Sequence, residues 1–135
     1  MLNTCAQLFA EDLKSKDLAF ETGVDQDGDS VIKFPYKGKT ASMFFTGDDG
    51  KYFSIYMAYE PVPEDKITDV ILACNELNNQ YKWVTFYVDH NNYVVLHDDA
   101  ILSIESAVDE AFELLVRTMN IGEQAKPTIM KAIYA

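Results

Sequence analysis

The sequence predicts an α+β fold with an antiparallel sheet of about five strands, in the order α-βββ-α-ββ-α(-α). Three observations carry this. Apolar and polar residues alternate in several short runs joined by turn residues, as in hairpin-connected strands. Before, between and after those runs, apolar residues recur at helical spacing, as in helices lying on a sheet. The chain has 135 residues, 48% of them hydrophobic, which suits one domain over 1–135 with one core.

The opening segment reads as a helix. Leu2, Cys5, Ala6, Phe9 and Leu13 form its stripe, with Glu11, Asp12, Lys14 and Lys16 outside it. The pattern fades near Leu18. SVIKFPY then alternates Ile32, Phe34 and Tyr36 against Lys33. Pro35 has no N–H for a ladder, so this run belongs at a sheet edge or a strand end. KGK turns the chain into TASMFFT, where Ala41, Met43 and Phe45 alternate with Ser42, Phe44 and Thr46. GDDG supplies a hairpin turn, its glycines allowing positive φ. KYFSIYMAY alternates Phe53, Ile55, Met57 and Tyr59 against Tyr52, Ser54, Tyr56 and Ala58, completing a meander.

EPVPED stops that strand, and Glu64 and Asp65 favour the start of a helix. Ile67, Val70, Ile71, Cys74 and Leu77 are its apolar stripe, and Asn78–Asn79 is its stop. KWVTFYV and YVVLH read as two more strands around the turn DHNN. From near Ser103, the residues Ile104, Ala107, Val108, Ala111, Phe112, Leu115 and Met119 form the cleanest helical stripe, with Arg117 in its last turn and Gly122 as its stop. KPTIMKAIY offers a short final helix with Pro127 in its first turn.

The formal net charge is −11. Nucleic acid and anionic lipid both call for a basic surface, so neither is expected as a partner. The N-terminus has no basic leader with an apolar core, and no window approaches a membrane span. Cys5 and Cys74 lie far apart without metal or redox spacing. A cytoplasmic protein with free thiols and no cofactor is expected.

Signals for chemistry are weak. DQDGDS places acids at Asp25, Asp27 and Asp29 like the start of a calcium loop. However, its glycine, Gly28, comes early, the twelfth position is Tyr36, and a strand follows. A turn explains it better. His97 and Asp99 share a strand face while Asp98 points away, giving two potential ligands where zinc uses three or four. His90 sits in a turn, and both cysteines lie on apolar helix stripes, where a thiol is inert. No nucleophile elbow or phosphate-binding loop is present, so no catalytic residue is expected.

The unusual feature is an apolar excess on the sheet. A half-wet antiparallel sheet should alternate, yet Phe44, Tyr52, Tyr56, Val84, Phe86 and Val88 lie opposite strand positions that are already apolar or aromatic. These six are the expected partner-binding surface.

The helix end CNELNNQYKW, the run VTFYVDHNNYVVLHDD, the acidic helix after it and the terminal KPTIMKAIY together resemble the YbjN-domain family of small bacterial domains. Leu77, Asn78, Trp83, Phe86, Asp89, Val94 and Leu96 carry most of the resemblance, with Pro127 in support. It spans nearly the whole chain in element order. It implies a type III secretion chaperone-like fold and a non-enzymatic role in sensory transduction or chaperoning. It further implies a homodimer that binds a polypeptide partner. The alternative is a small-ligand or metal-responsive regulator, with Asp25, Asp27 and Asp29 or His97 and Asp99 as contacts.

Overall fold

The computed structural model describes Met1–Ala135. Helix α1 (Thr4–Ser15) starts on a built cap. Asn3 Oδ1 accepts from the Ala6 N–H, its Nδ2 donates to the Phe45 carbonyl at 2.8 Å, and its backbone N–H donates to Ser30 Oγ at 2.8 Å. One side chain thus caps the helix and fixes it to the sheet. Gly50 in the turn after β3 has φ 74°, and a Cβ there would lie 2.0 Å from Asn3 Oδ1, so this position needs glycine for both room and dihedral.

Strands β1 (Glu21–Val24), β2 (Ser30–Tyr36), β3 (Lys39–Thr46), β4 (Tyr52–Pro61), β5 (Thr85–Val88) and β6 (Tyr93–Ile101) form one antiparallel sheet in the order β1-β2-β3-β4-β6-β5. Helices α1, α2 (Ile67–Gln80) and α3 (Ala107–Tyr134) cover one face of it. Ile32, Met43, Phe45, Ile55, Met57, Phe86 and Leu96 point into that layer and pack with Phe9, Leu13, Leu77 and Leu115 in a core of 29 buried residues. The other sheet face carries no helix, so the strands alternate as one-sided antiparallel strands do.

The α+β class and the antiparallel sheet agree with the sequence. Among the elements, α2 runs past the expected stop at Asn78–Asn79 to Gln80, α3 starts at Ala107 and not near Ser103, and three larger differences follow. The sheet has six strands, because ETGV adds β1. All four of its residues are exposed, so no apolar alternation marked it, and it is held by its backbone ladder to β2. Because β1 pairs only as far as Lys33, the missing donor of Pro35 falls past the end of β1, the strand-end reading made above. Second, Trp83 lies outside the strand. It has φ 77°, in a tight turn closed by Val84 N–H to Lys82 O at 2.9 Å.

Third, the two terminal helices are one. Gly122 does not end α3; it lets α3 approach the sheet. A Cβ there would meet Leu96 Cδ2 at 3.1 Å and Tyr59 Cε1 at 3.3 Å, and the Tyr59 hydroxyl donates to the Gly122 carbonyl at 2.7 Å. Pro127 sits in the interior of α3, not its first turn. Its missing donor belongs to the carbonyl of exposed Glu123, where water can replace it.

Candidate functional site

The helix-free face of the sheet is the site to consider. Strand register builds it in rows. Lys33, Ser42, Tyr56, His97 and Thr85 lie side by side across β2, β3, β4, β6 and β5. The next row in one direction runs Val31, Phe44, Ser54 and Asp99. In the other it contains Ala58, Val95 and Tyr87. Aromatic side chains meet at the centre. The His97 ring stacks on Tyr56 with centroids 4.3 Å apart and 5° between planes, while Tyr87 meets His97 edge-on at 6.5 Å and Phe44 meets Tyr56 edge-on at 5.8 Å. A broad concavity of about 910 Å³ spreads over this region, with Ser42, Phe44, Tyr56, Tyr87, Tyr93 and Val95 in its lining.

The polar groups here are arranged to hold still. Ser54 Oγ donates to Asp99 Oδ1 at 2.6 Å, and His97 Nε2 lies 2.9 Å from the same oxygen. Burial alone would raise the Asp99 carboxyl, but the hydrogen bonds from Ser54 and His97 outweigh it and hold the group below its ordinary value. The carboxylate stands between hydroxyl and imidazole. The serine proton therefore points at a weak base, and the histidine does not reach the serine; a nucleophilic triad needs the imidazole in the middle. Both thiols are buried, Cys74 with its pKa pushed up to about 11 and Cys5 with its value raised, so neither is a ready nucleophile.

Of the six residues expected to face a partner, Phe44, Tyr52 and Tyr56 do lie on this open face. Val84 and Phe86, only 3% and 1% exposed, lie in the core, and Val88 packs against it. Register is the reason. Phe86 pairs with Leu96 and Val88 with Val94, both buried under the helices, so these residues of β5 point inward. Thr85 and Tyr87 take the outward places. Both parities of KWVTFYV are apolar, so alternation alone does not choose between them. His97, Val95 and Tyr93 also belong to the face; their sequence signal was their shared parity with Asp99.

Asp25, Asp27 and Asp29 do converge, with an oxygen from each within 4.8 Å of the others. Asp25 Oδ1 already accepts the N–H groups of Asp27 and Asp29 at 2.9 and 3.0 Å, which is the turn chemistry read from the sequence. Partial desolvation and then the charges of Asp25 and Asp27 raise the Asp29 carboxyl.

The two sheet edges differ. At β5 the Asn78 side chain receives the Phe86 N–H at 2.7 Å and donates to the Phe86 carbonyl at 2.9 Å, so α2 covers that edge. At the opposite end β1 pairs only with β2.

Comparison with known proteins gives a family and a fold. The sequence matches YbjN, described as "Putative bacterial sensory transduction regulator", over residues 6–123. None of the curated proteins compared with the chain matches it. Among solved structures, the Yersinia pestis type III secretion chaperone SycH, in complex with a stable fragment of YscM2, is similar with a TM-score of 0.55 at 12% identity. The alignment covers 90% of this chain and 98% of the chaperone chain. At that identity the likeness is one of fold.

Proposed function

The chain belongs to the YbjN family, and from that premise we propose that it is a non-enzymatic protein-interaction module, a chaperone-like or regulatory adaptor that binds a polypeptide. Residues 1–135 act as one such domain, as a cytoplasmic homodimer. The observation that carries this is the helix-free sheet face with Phe44, Tyr56, Tyr87 and His97 packed at its centre. A broad, shallow aromatic surface without a positioned nucleophile suits the side chains of an extended chain better than a reacting small molecule. No helix is long and apolar enough to cross a membrane.

Capture from the native host tests it. A partner held by the native chain should be lost with Tyr56→Asp and kept with Leu72→Ser, which alters an exposed residue of α2. Loss with Leu72→Ser alone would move the surface to the helices. A second reading, a metal-responsive regulator, draws on the convergence of Asp25, Asp27 and Asp29. Calcium titration by calorimetry decides it; no heat and an unchanged melting temperature would remove it.

A further inference from the structure

We infer that the free edge of β1 accepts a segment of another polypeptide as a seventh, antiparallel strand. The segment carries one large apolar side chain, with a Lys or Arg two positions before it. This rests on the reading that the partner is a polypeptide, and adds where its backbone docks and which side chains it brings.

The backbone argument comes from ladder parity. The Asp25 N–H donates to the Asp29 carbonyl, so bonded pairs along the β1–β2 ladder alternate from there. Gly23 and Glu21 bond to β2, which leaves the N–H and C=O of Thr22 and Val24 pointing outward. Those groups form the template for an added strand. The corresponding groups at the other edge are taken at Phe86 by Asn78, so the sheet can grow at β1 and is blocked at β5.

The side-chain argument comes from Gly23. It is the open-face residue of β1 opposite Val31, and a Cβ there would meet nothing within 4 Å. A hollow of about 330 Å³ lies at this point, with Gly23, Val31, Lys33 and Phe44 in its lining. The residue of an added strand opposite Gly23 would form a non-bonded pair, in which side chains stand closest. With no side chain on Gly23 in the way, it reaches across into the Val31–Phe44 hollow. Two positions earlier in an antiparallel segment, a residue faces Asp25, near Asp27 and Asp29, and this is where a cation is favoured. Toward the other end Glu21 already stands opposite Lys33.

The test is fluorescence anisotropy of the full chain with a labelled, end-blocked peptide, Thr-Lys-Thr-Phe-Thr-Val-Thr. Thr22→Pro removes an outward N–H and costs no ladder bond, and Gly23→Leu fills the hollow; melting curves confirm that both variants fold. Each is expected to weaken binding by roughly tenfold or more, as is replacing the peptide's Phe by Ala or its Lys by Glu. No binding by the native chain, or binding unchanged by both variants, overturns the inference. So does a dimer that Thr22→Pro dissociates, which would put a second copy on this edge. If Tyr56→Asp abolishes peptide binding while Thr22→Pro spares it, the edge is wrong and the polypeptide reading stands. Failure of the partner capture described above removes that reading separately.

Discussion

Asp98 is buried on the helix side of β6, 7% exposed and opposite Ile55. Its Oδ1 accepts the Asp99 N–H at 2.8 Å, and its Oδ2 has no partner. Burial pushes its carboxyl up to about 6; the Asp99 N–H and His97 pull it down, and the Asp99 charge adds to the rise. The folded value therefore lies above the unfolded value near ~3.9. The contribution of protonated Asp98 is complete below about pH 4 and is lost as pH rises through about 6. In urea unfolding, Asp98→Asn should exceed the native chain by about 2 kcal/mol at pH 8 and by close to nothing at pH 4. A gap that is the same at both pH values would contradict this. The sequence gives the parity that sends Asp98 away from His97 and Asp99. It does not show that helices would cover that side, since covering depends on elements distant in the chain.

At the level of elements, two contacts hold the helices to the sheet at stated points. Asn78 closes the β5 edge with two hydrogen bonds, and Asn78→Ala leaves the Phe86 N–H and carbonyl without them. A loss of about 1–3 kcal/mol is expected, with faster exchange of the Phe86 amide, while Asn79→Ala should stay within about 0.5 kcal/mol. Equal losses for the two would show that the Asn78 side chain adds nothing at the edge; the sequence reads Asn78–Asn79 as a helix stop, but α2 runs on through both to Gln80 with neither at positive φ. Tyr59→Phe removes the buried bond to the Gly122 carbonyl and should cost about 1 kcal/mol in chemical denaturation. An unchanged midpoint would mean that packing alone seats α3. Elements with one-sided periodicity were legible: α1, α2, the meander and the stripe of α3. Those without it were not. Polar β1 carries no pattern, β5 is apolar at both parities, and Gly122 reads as a stop until the sheet beneath it is seen.

Over the whole molecule, the sheet is covered on one side and bare on the other, and one of its two edges is closed. The open-face half of the expected surface, Phe44, Tyr52 and Tyr56, was legible from alternation in strands whose opposite parity is plainly core. The half assigned to β5 was not, because register is set by pairing with β6 and by α2. The charge of −11 sits with this arrangement, since a basic extended segment meets Asp25, Asp27 and Asp29 beside the free edge. The most direct measurement places a photoreactive phenylalanine derivative at Tyr56, and in a parallel sample at Leu72 on α2, and irradiates cells of the native host. A polypeptide adduct at Tyr56 and none at Leu72 is the expected result. An adduct at Leu72 with none at Tyr56 would contradict the central claim that the open sheet face binds the partner.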